Sequence, residues 1–195
     1  YHPSDEQFWA VWQVNVGTGT HSQNGYKQDT VWYVKTKDGT LYQFGSTTTG
    51  DFGNRAWWGS RGDPNNGWCG RYVETNRWYL TRVADVHGNT IEFTYGYTGS
   101  NPGSSYACGV TIGGFMTWDA WPAEIRWGSA SNLRYRVVFE SSARTDDLQF
   151  DGTETQYGQA PHETRRLDGI RVESMPTTSW ELVRRYDLRY NYSLR

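Results

Sequence analysis

Apolar residues recur at every second position along most of this chain, and that period of two limits the fold more than any other feature of the sequence. Within residues 133–140, for example, one side of an extended chain carries Leu133, Tyr135, Val137 and Phe139, and the other side carries Arg134, Arg136 and Glu140. Alternation of this kind is the pattern of a β-strand that buries one face. The 14 Tyr, 11 Trp and 22 Gly residues favour twisted sheet and tight turns over helix. The sequence therefore predicts an all-β fold with almost no helix.

Short turn sequences divide the predicted strands into consecutive hairpins. Residues 31–35 and 41–45 flank the segment Lys-Asp-Gly-Thr at 37–40, whose Asp-Gly pair supplies the positive φ angles of a primed hairpin turn. Residues 78–85 and 91–97 flank a second turn that contains Gly and Asn. A series of such antiparallel hairpins predicts a curved, twisted sheet.

The alternation is interrupted twice, at about 46–76 and 98–120, where Gly, Thr, Asn and Asp predominate. We expect two long loops there, within a single β domain that spans residues 1–195. Each loop carries one of the two cysteines, Cys69 and Cys108, and an even pair in an aromatic, Gly-rich chain predicts a disulfide. Such a bond would stabilise the fold by about 3–4 kcal/mol in the chain-entropy model. Two unpaired thiols in a cytosolic protein are the alternative.

The charge balance and the start of the chain indicate where the protein works. The 19 basic and 21 acidic side chains give a formal net charge of −2 without a basic stripe, so we expect no nucleic-acid partner. No apolar stretch approaches the roughly 20 residues that span a bilayer, which predicts no membrane insertion. The chain begins at Tyr1 without an apolar leader, as expected for a segment of a longer protein. Its few Lys residues beside many Trp, Tyr, Asn, Gly and Thr are typical of exported proteins.

Five sequence elements resemble, in the same order, those of Rhs/YD-repeat proteins. The longest, residues 78–95, is similar to the element W-x-L-x-x-I-x-D-x-x-G-N-x-I-x-x-x-Y. Residues 121–127 resemble a Y-P-x-x-I-x-Y strand, and residues 138–146 resemble an F-x-Y-E-x-R-x-D strand and bend. Residues 164–172 and 183–190 resemble the elements T-x-R-L-x-x-I-x-V and V-R-x-Y-x-L-x-Y. The order is similar to that in the amino-terminal region of insecticidal toxin-complex B-components and in the related plasmid-virulence toxin amino-terminal domain.

Residues 37–45 also fit the D-G-x-x-Y-x-F-G hairpin that precedes these elements in that family. The resemblance therefore spans about residues 31–190, and it implies both a fold and a role. In that family, successive hairpins form a hollow shell that encloses a toxic carboxy-terminal polypeptide and keeps it inert until release. By resemblance, this chain is a non-catalytic structural shell or scaffold segment of a secreted or surface-delivered bacterial protein. Its partners would be flanking shell segments or the enclosed toxin polypeptide of the same parent protein.

A carbohydrate-binding module is the competing interpretation. Indole rings stack on sugar rings, and asparagine and aspartate side chains bond to the sugar hydroxyls. The alternative is that the rings cap the ends of the sheet as small apolar clusters. The candidate platform for a polysaccharide consists of the tryptophans in or beside the two loops: Trp57, Trp58, Trp68, Trp118 and Trp121.

Acidic residues near position 150 form the one candidate metal site. Asp146, Asp147 and Asp151 could supply the hard oxygen ligands that calcium prefers, although their spacing differs from that of an EF-hand loop. A solvated acidic loop explains the same residues. We therefore expect either no cofactor or calcium.

Catalysis finds little support in the sequence. Glu92, Glu124, Glu140 and Glu173 lie on predicted strands, and a polysaccharide-active enzyme needs two such carboxyl groups to converge. They alternate with apolar residues, however, so most of them should face water. The sequence lacks a Gly-x-Ser-x-Gly elbow, a phosphate-binding loop and a His-Glu-x-x-His pair. We expect that the chain is not an enzyme, and a polysaccharide-active enzyme remains the second alternative to the shell.

Overall fold

The chain is a β-protein throughout the part that the structure describes. The computed structural model describes residues 10–15, 30–45, 55–60, 72–100, 116–144 and 165–190, and all regular structure within them is strand. No helix long and apolar enough to cross a membrane is present in these segments. The strands are β1 (Ala10–Asn15), β2 (Thr30–Lys35), β3 (Leu41–Phe44), β4 (Arg55–Ser60), β5 (Tyr72–Trp78), β6 (Leu80–Ala84), β7 (Asn89–Ser100), β8 (Met116–Ser129), β9 (Asn132–Ala143), β10 (Arg165–Ser174) and β11 (Glu181–Asp187).

Nine of the described strands form one open antiparallel sheet, and the other two form a separate hairpin. The order across the large sheet is β1-β2-β3-β6-β7-β8-β9-β10-β11, while β4 pairs with β5. Apart from the step from β3 to β6, each strand of the large sheet lies beside the strand that precedes it in the chain. This confirms the predicted all-β fold of consecutive antiparallel hairpins. The outer strands of the described sheet are β1 and β11.

The register of the sheet collects apolar side chains on one side, which we call the apolar face. Directly paired residues in neighbouring antiparallel strands point to the same side, so a row of pairs defines a face. The central row crosses seven strands from β1 to β9 and is apolar at every position: Val11, Val34, Tyr42, Val83, Ile91, Trp127 and Tyr135.

The opposite side, which we call the polar face, carries most of the charged residues of the strands. One row on this face crosses seven strands from β2 to β10: Tyr33, Gln43, Arg82, Glu92, Arg126, Arg136 and Glu173. The alternation in the sequence thus becomes a separation of the two faces. A shift of one residue in any strand would move its apolar side chains to the polar face.

The sheet buries few of its side chains, which is unusual for a chain with this apolar pattern. Val31 is the one hydrophobic side chain that is buried among those described, at 0% exposure. On the apolar face Tyr135 is 49% exposed and Ile91 is 38% exposed. A sheet normally packs its apolar face against a second layer. In the described segments the apolar face therefore remains only partly covered.

Aromatic contacts attach the β4–β5 hairpin to the large sheet. Trp78, at the end of β5, packs edge-on against Trp32 of β2, with 6.0 Å between ring centroids. Tyr79 packs against Tyr95 at 4.9 Å, and the hydroxyl of Tyr95 donates a 2.8 Å hydrogen bond to the carbonyl oxygen of Leu80. Burial, assisted by the neighbouring Tyr79, raises the pKa of Tyr95. These contacts lie where the chain passes from the hairpin into β6.

The structure corrects the predicted extent of both long loops. Strand β4 and the first part of β5 lie inside the segment 46–76, and the segment 98–120 is shortened because β7 runs to Ser100 and β8 begins at Met116. The sequence of β4, Arg-Ala-Trp-Trp-Gly-Ser, has no two-residue alternation. Its strand is defined by backbone pairing with β5, which a periodicity argument does not detect.

The turns at residues 36–40 and 85–89 share one geometry, and the first of them differs from the primed turn predicted there. The Thr36 N–H donates to the Thr40 carbonyl at 3.0 Å, and the Gly39 N–H donates to the Thr36 carbonyl at 2.9 Å. The turn at 85–89 repeats this pattern around Gly88. Both are three-residue loops in which glycine takes a left-handed conformation, with φ of 86° and 84°. The primed turn was the wrong expectation because three residues, not two, separate each closing pair.

A carboxylate closes each of these turns. Asp85 accepts hydrogen bonds from the backbone N–H groups of His87 and Asn89, at 2.9 and 2.8 Å, and from the Asn89 side chain at 2.6 Å. Asp38 accepts a 2.5 Å bond from the Thr36 hydroxyl. Hydrogen bonds to the charged form lower the pKa of both carboxyls, chiefly the Asn89 side chain for Asp85 and the Thr36 hydroxyl for Asp38.

Replacing Asp85 with alanine should lower stability at neutral pH, because three hydrogen bonds disappear from the turn. The folded pKa lies below the unfolded value of 3.8, so the stabilisation is fully present well above pH 3.8 and is lost as the pH falls through the folded pKa. Urea unfolding of the wild type and Asp85→Ala at pH 7 and pH 3 should show a difference that shrinks in acid. The same difference at both pH values would contradict the assignment.

Candidate functional site

Opposite charges on the polar face of β8, β9, β10 and β11 form a continuous chain of ion pairs, which we call the charge ladder. Every successive pair in it lies within ion-pair distance, and the ladder crosses four neighbouring strands. Its members, in order of contact, are Arg126, Glu124, Arg136, Glu173, Arg171, Glu140, Arg185 and Asp187. The ladder arises because each strand places charges at alternate positions on the same face.

Arg136 is the centre of the ladder. Its Nε lies 2.5 Å from Glu173 Oε2, and its Nη1 lies 3.1 Å from Glu124 Oε2. The Glu173 side chain is only 5% exposed. The Trp180 ring covers the guanidinium, with the Arg136 Cζ 4.2 Å from the ring centroid. A buried carboxylate is thus neutralised by an arginine that is itself shielded from water.

The turn between β10 and β11 places Trp180 over the ladder. The Met175 N–H donates to the Arg134 carbonyl at 2.7 Å. Arg134 Nη1 donates to the Pro176 carbonyl at 3.3 Å. These bonds hold the start of the turn against β9. The indole of Trp180, at the end of the same turn, lies over Arg136 of β9.

The ladder offers fixed charge pairs. Each guanidinium in the ladder can only donate hydrogen bonds. The hydrogen bond from Arg185 to Asp187, together with the negative charges of Asp187 and Glu140, raises the pKa of Arg185. The structure brings Glu124, Glu140 and Glu173 together in the ladder and places Glu92 beside Arg126 in the register. These are the four carboxylates that the sequence allows for a glycosidase pair.

Trp121, one of the five predicted sugar-binding tryptophans, is enclosed by its neighbours. It pairs with Gly96 across β7 and β8, and a Cβ built on that glycine would lie 2.6 Å from the indole. The Arg165 guanidinium lies 4.8 Å from the ring centroid. An indole that covers a strand glycine is a packing device in sheets. The Arg165 side chain occupies one face of the Trp121 ring, so a sugar could stack on that face only after Arg165 had moved away.

The remaining predicted site residues fall outside the side chains that the structure describes. The backbone of Trp57 and Trp58 lies in β4 and that of Trp118 in β8, whereas Trp68 lies outside the described residues. The sugar platform as a set stays a prediction.

The predicted disulfide and calcium residues also lie outside the described segments. Those residues are Cys69, Cys108, Asp146, Asp147 and Asp151. Within the segments that the structure describes, no three His, Cys, Asp or Glu side chains gather in a way that could hold a metal ion. The disulfide and the calcium site therefore stay predictions.

Sequence reasoning missed the residues that organise the ladder. It placed Arg136 and Glu140 on one side of a strand, but it did not connect them to Glu173 or to Trp180. The signal that could have found them is the run of charges at alternate positions in four successive predicted strands.

Replacing Arg136 with methionine should destabilise the fold by about 3 kcal/mol, because the buried Glu173 loses a partner while the aliphatic volume is kept. Arg126→Met is the matched control, because Arg126 is at the end of the ladder, where it pairs with Glu124 and its side chain is 45% exposed. That control should cost less than about 1 kcal/mol. Urea unfolding measures both, and equal losses would show that the centre of the ladder is no more important than its end.

Replacing Gly96 with alanine should destabilise the fold by about 1–3 kcal/mol, because the new methyl group collides with the Trp121 ring. Thr94→Ala is the control on the same strand and the same polar face, where the side chain is exposed. Thermal unfolding of the two variants tests the packing. Unchanged stability of Gly96→Ala would mean that the indole does not lie against the glycine.

Comparison with solved structures finds a similar fold in the N-terminal domain of effector protein SpvB from Salmonella typhimurium strain LT2. The two chains share 15% sequence identity and superpose with a TM-score of 0.55. The match covers 96% of this chain and 62% of that chain, so this chain corresponds to part of the solved domain. At this identity the similarity shows a shared fold. No protein-family model matches the sequence, and the comparison with curated proteins gives no match.

Proposed function

We propose that this chain is a non-catalytic structural module of a secreted bacterial protein of the Rhs or toxin-complex type, in which it forms a segment of a shell. The observation that carries the proposal is the apolar row that crosses seven strands of an open sheet and stays partly exposed. A surface of this kind needs a covering layer. In a shell, the enclosed polypeptide or a flanking segment provides it.

The two outer strands of the described sheet support the same proposal. Both β1 and β11 have a neighbour on one side only in the described sheet, and a strand edge that is not paired is a template for a further strand. Consecutive hairpins add strands side by side without a limit set by the sheet itself. Flanking shell segments of the parent protein are therefore partners that fit the two edges.

The polar face suits the outer surface of such a shell. Its charges are paired in the ladder from Arg126 to Asp187, which keeps the surface hydrated and close to neutral. The fold similarity to the N-terminal domain of an effector protein supports a toxin-related role. The serial resemblance to Rhs/YD-repeat elements leads to the finer proposal of a shell.

Thiol labelling of two adjacent β7 positions tests which face is covered. Ile91 and Glu92 lie on opposite faces, and both are exposed in this chain. In the intact parent protein, Ile91→Cys should react at least about tenfold more slowly than Glu92→Cys, because a covered thiol reacts only after local opening. In the isolated chain the two variants should react at similar rates. Labelling of the wild type gives the background from the native cysteines.

Equal labelling of both positions in the intact parent protein would contradict the shell.

A second measurement separates the shell from sugar binding: the chain should not be retained on insoluble polysaccharides. Retention that Trp57→Ala or Trp58→Ala abolishes would instead support the carbohydrate-binding module.

A further inference from the structure

Strand β11 is attached to the sheet without a buried side chain. All seven of its residues, Glu181–Asp187, are exposed, and its apolar members Leu182 and Val183 are 58% and 64% exposed. Burial of apolar surface is the dominant favourable term that holds a strand against its neighbours. The attachment of β11 therefore depends on its backbone pairing with β10 and on polar contacts.

An ion pair passes over β10 and connects β11 to β9. Arg185 Nη2 lies 2.9 Å from Glu140 Oε2, and Arg185 Nε lies 2.8 Å from Asp187 Oδ1. Gly169 of β10 sits between Glu140 and Asp187 in the register. A Cβ at this glycine would lie 3.0 Å from Glu140 Oε2 and 3.1 Å from the Tyr186 carbonyl oxygen. The missing side chain thus leaves room for a contact that spans two strands.

Arginine–aromatic contacts hold the segments on either side of β11. Before the strand, Trp180 lies over Arg136 with 4.2 Å from the Cζ to the ring centroid. After it, Tyr190 lies 5.3 Å from the Arg166 Cζ and donates a 2.6 Å hydrogen bond to the Leu167 carbonyl. Both of these aromatic contacts therefore involve a charged guanidinium.

We propose that β11 is a releasable edge strand whose attachment is controlled by ionic strength, with Glu140, Gly169, Arg185 and Asp187 as its edge clasp. Release of β11 uncovers the hydrogen-bonding edge of β10 and leaves the rest of the sheet in place. The proposal does not depend on the shell function, because it concerns how one strand is held in the chain itself.

The physical basis is a difference between two kinds of attachment. Exposed ion pairs are each worth less than about 1 kcal/mol and are screened by salt. Strands β7, β8 and β9 share the apolar row through Ile91, Trp127 and Tyr135, which salt does not weaken. The Glu124–Arg136 pair between β8 and β9 is mostly buried, so salt screens it less than the exposed pairs of β11. Salt should therefore open β11 selectively.

Hydrogen exchange of the 195-residue chain, followed by mass spectrometry, tests the proposal. Salt is varied between about 0.02 and about 1 M NaCl, over which the Debye length falls to about 3 Å. Peptides that cover β11 should exchange about tenfold faster at high salt, the combined effect of several screened pairs. Peptides from β7 and β8 should change little and provide the internal control.

Two variants locate the effect in the edge clasp. At low salt, Glu140→Gln removes the charge that Arg185 contacts, and Gly169→Ala displaces the same carboxylate, so each should speed the exchange of β11 and reduce its response to salt. Glu92→Gln removes an equivalent carboxylate from the polar face of β7 and should leave β11 unchanged. Glu140→Gln alone decides the matter if the glycine variant does not fold.

Two results would overturn the proposal. One is exchange of β11 that does not respond to salt or to Glu140→Gln. The other is equal acceleration of β11 and of the central strands, which would mean that the sheet opens as one unit.

Discussion

Antiparallel pairing in one continuous register is the constraint on which the rest of this structure depends. Because side chains alternate along a strand, the register decides which residues share a face across nine strands. The turns closed by Asp38 and Asp85 hold that register at two points, through three-residue loops that need a left-handed glycine. Both the apolar row and the charge ladder exist only while the pairing is kept.

The two faces that result differ in how they are stabilised. The charges on the polar face from β8 to β11 find their partners within the sheet, because the ladder pairs them and Trp180 covers its centre. The apolar face is only partly covered, since Tyr135 and Ile91 remain partly exposed in the described segments. A sheet whose charged face is internally paired and whose apolar face is only partly covered is what a wall of a larger enclosure requires, and this asymmetry supports the proposed shell role.

The candidate site was only partly predictable. The alternation of charged and apolar residues in the sequence predicts that Arg136 and Glu140 lie on one side of a strand. The partners of Arg136 come from β8, from β10 and from the turn that holds Trp180, and no local pattern connects segments so far apart in the chain. The enclosure of Trp121 between Gly96 and Arg165 was equally out of reach, because two other strands supply its neighbours.

The sequence by itself determined the all-β class, the chain of hairpins and the separation of an apolar from a polar side, because these follow from local propensity and a period of two. It set the ends of strands poorly, since β4 and the distal parts of β7 and β8 lack that period and depend on backbone pairing with a neighbour. Only the tertiary structure decided which charges meet, which rings are covered and how little room the neighbouring strands leave for a side chain at position 169. Those outcomes depend on distances between strands, which the order of residues along one strand does not contain.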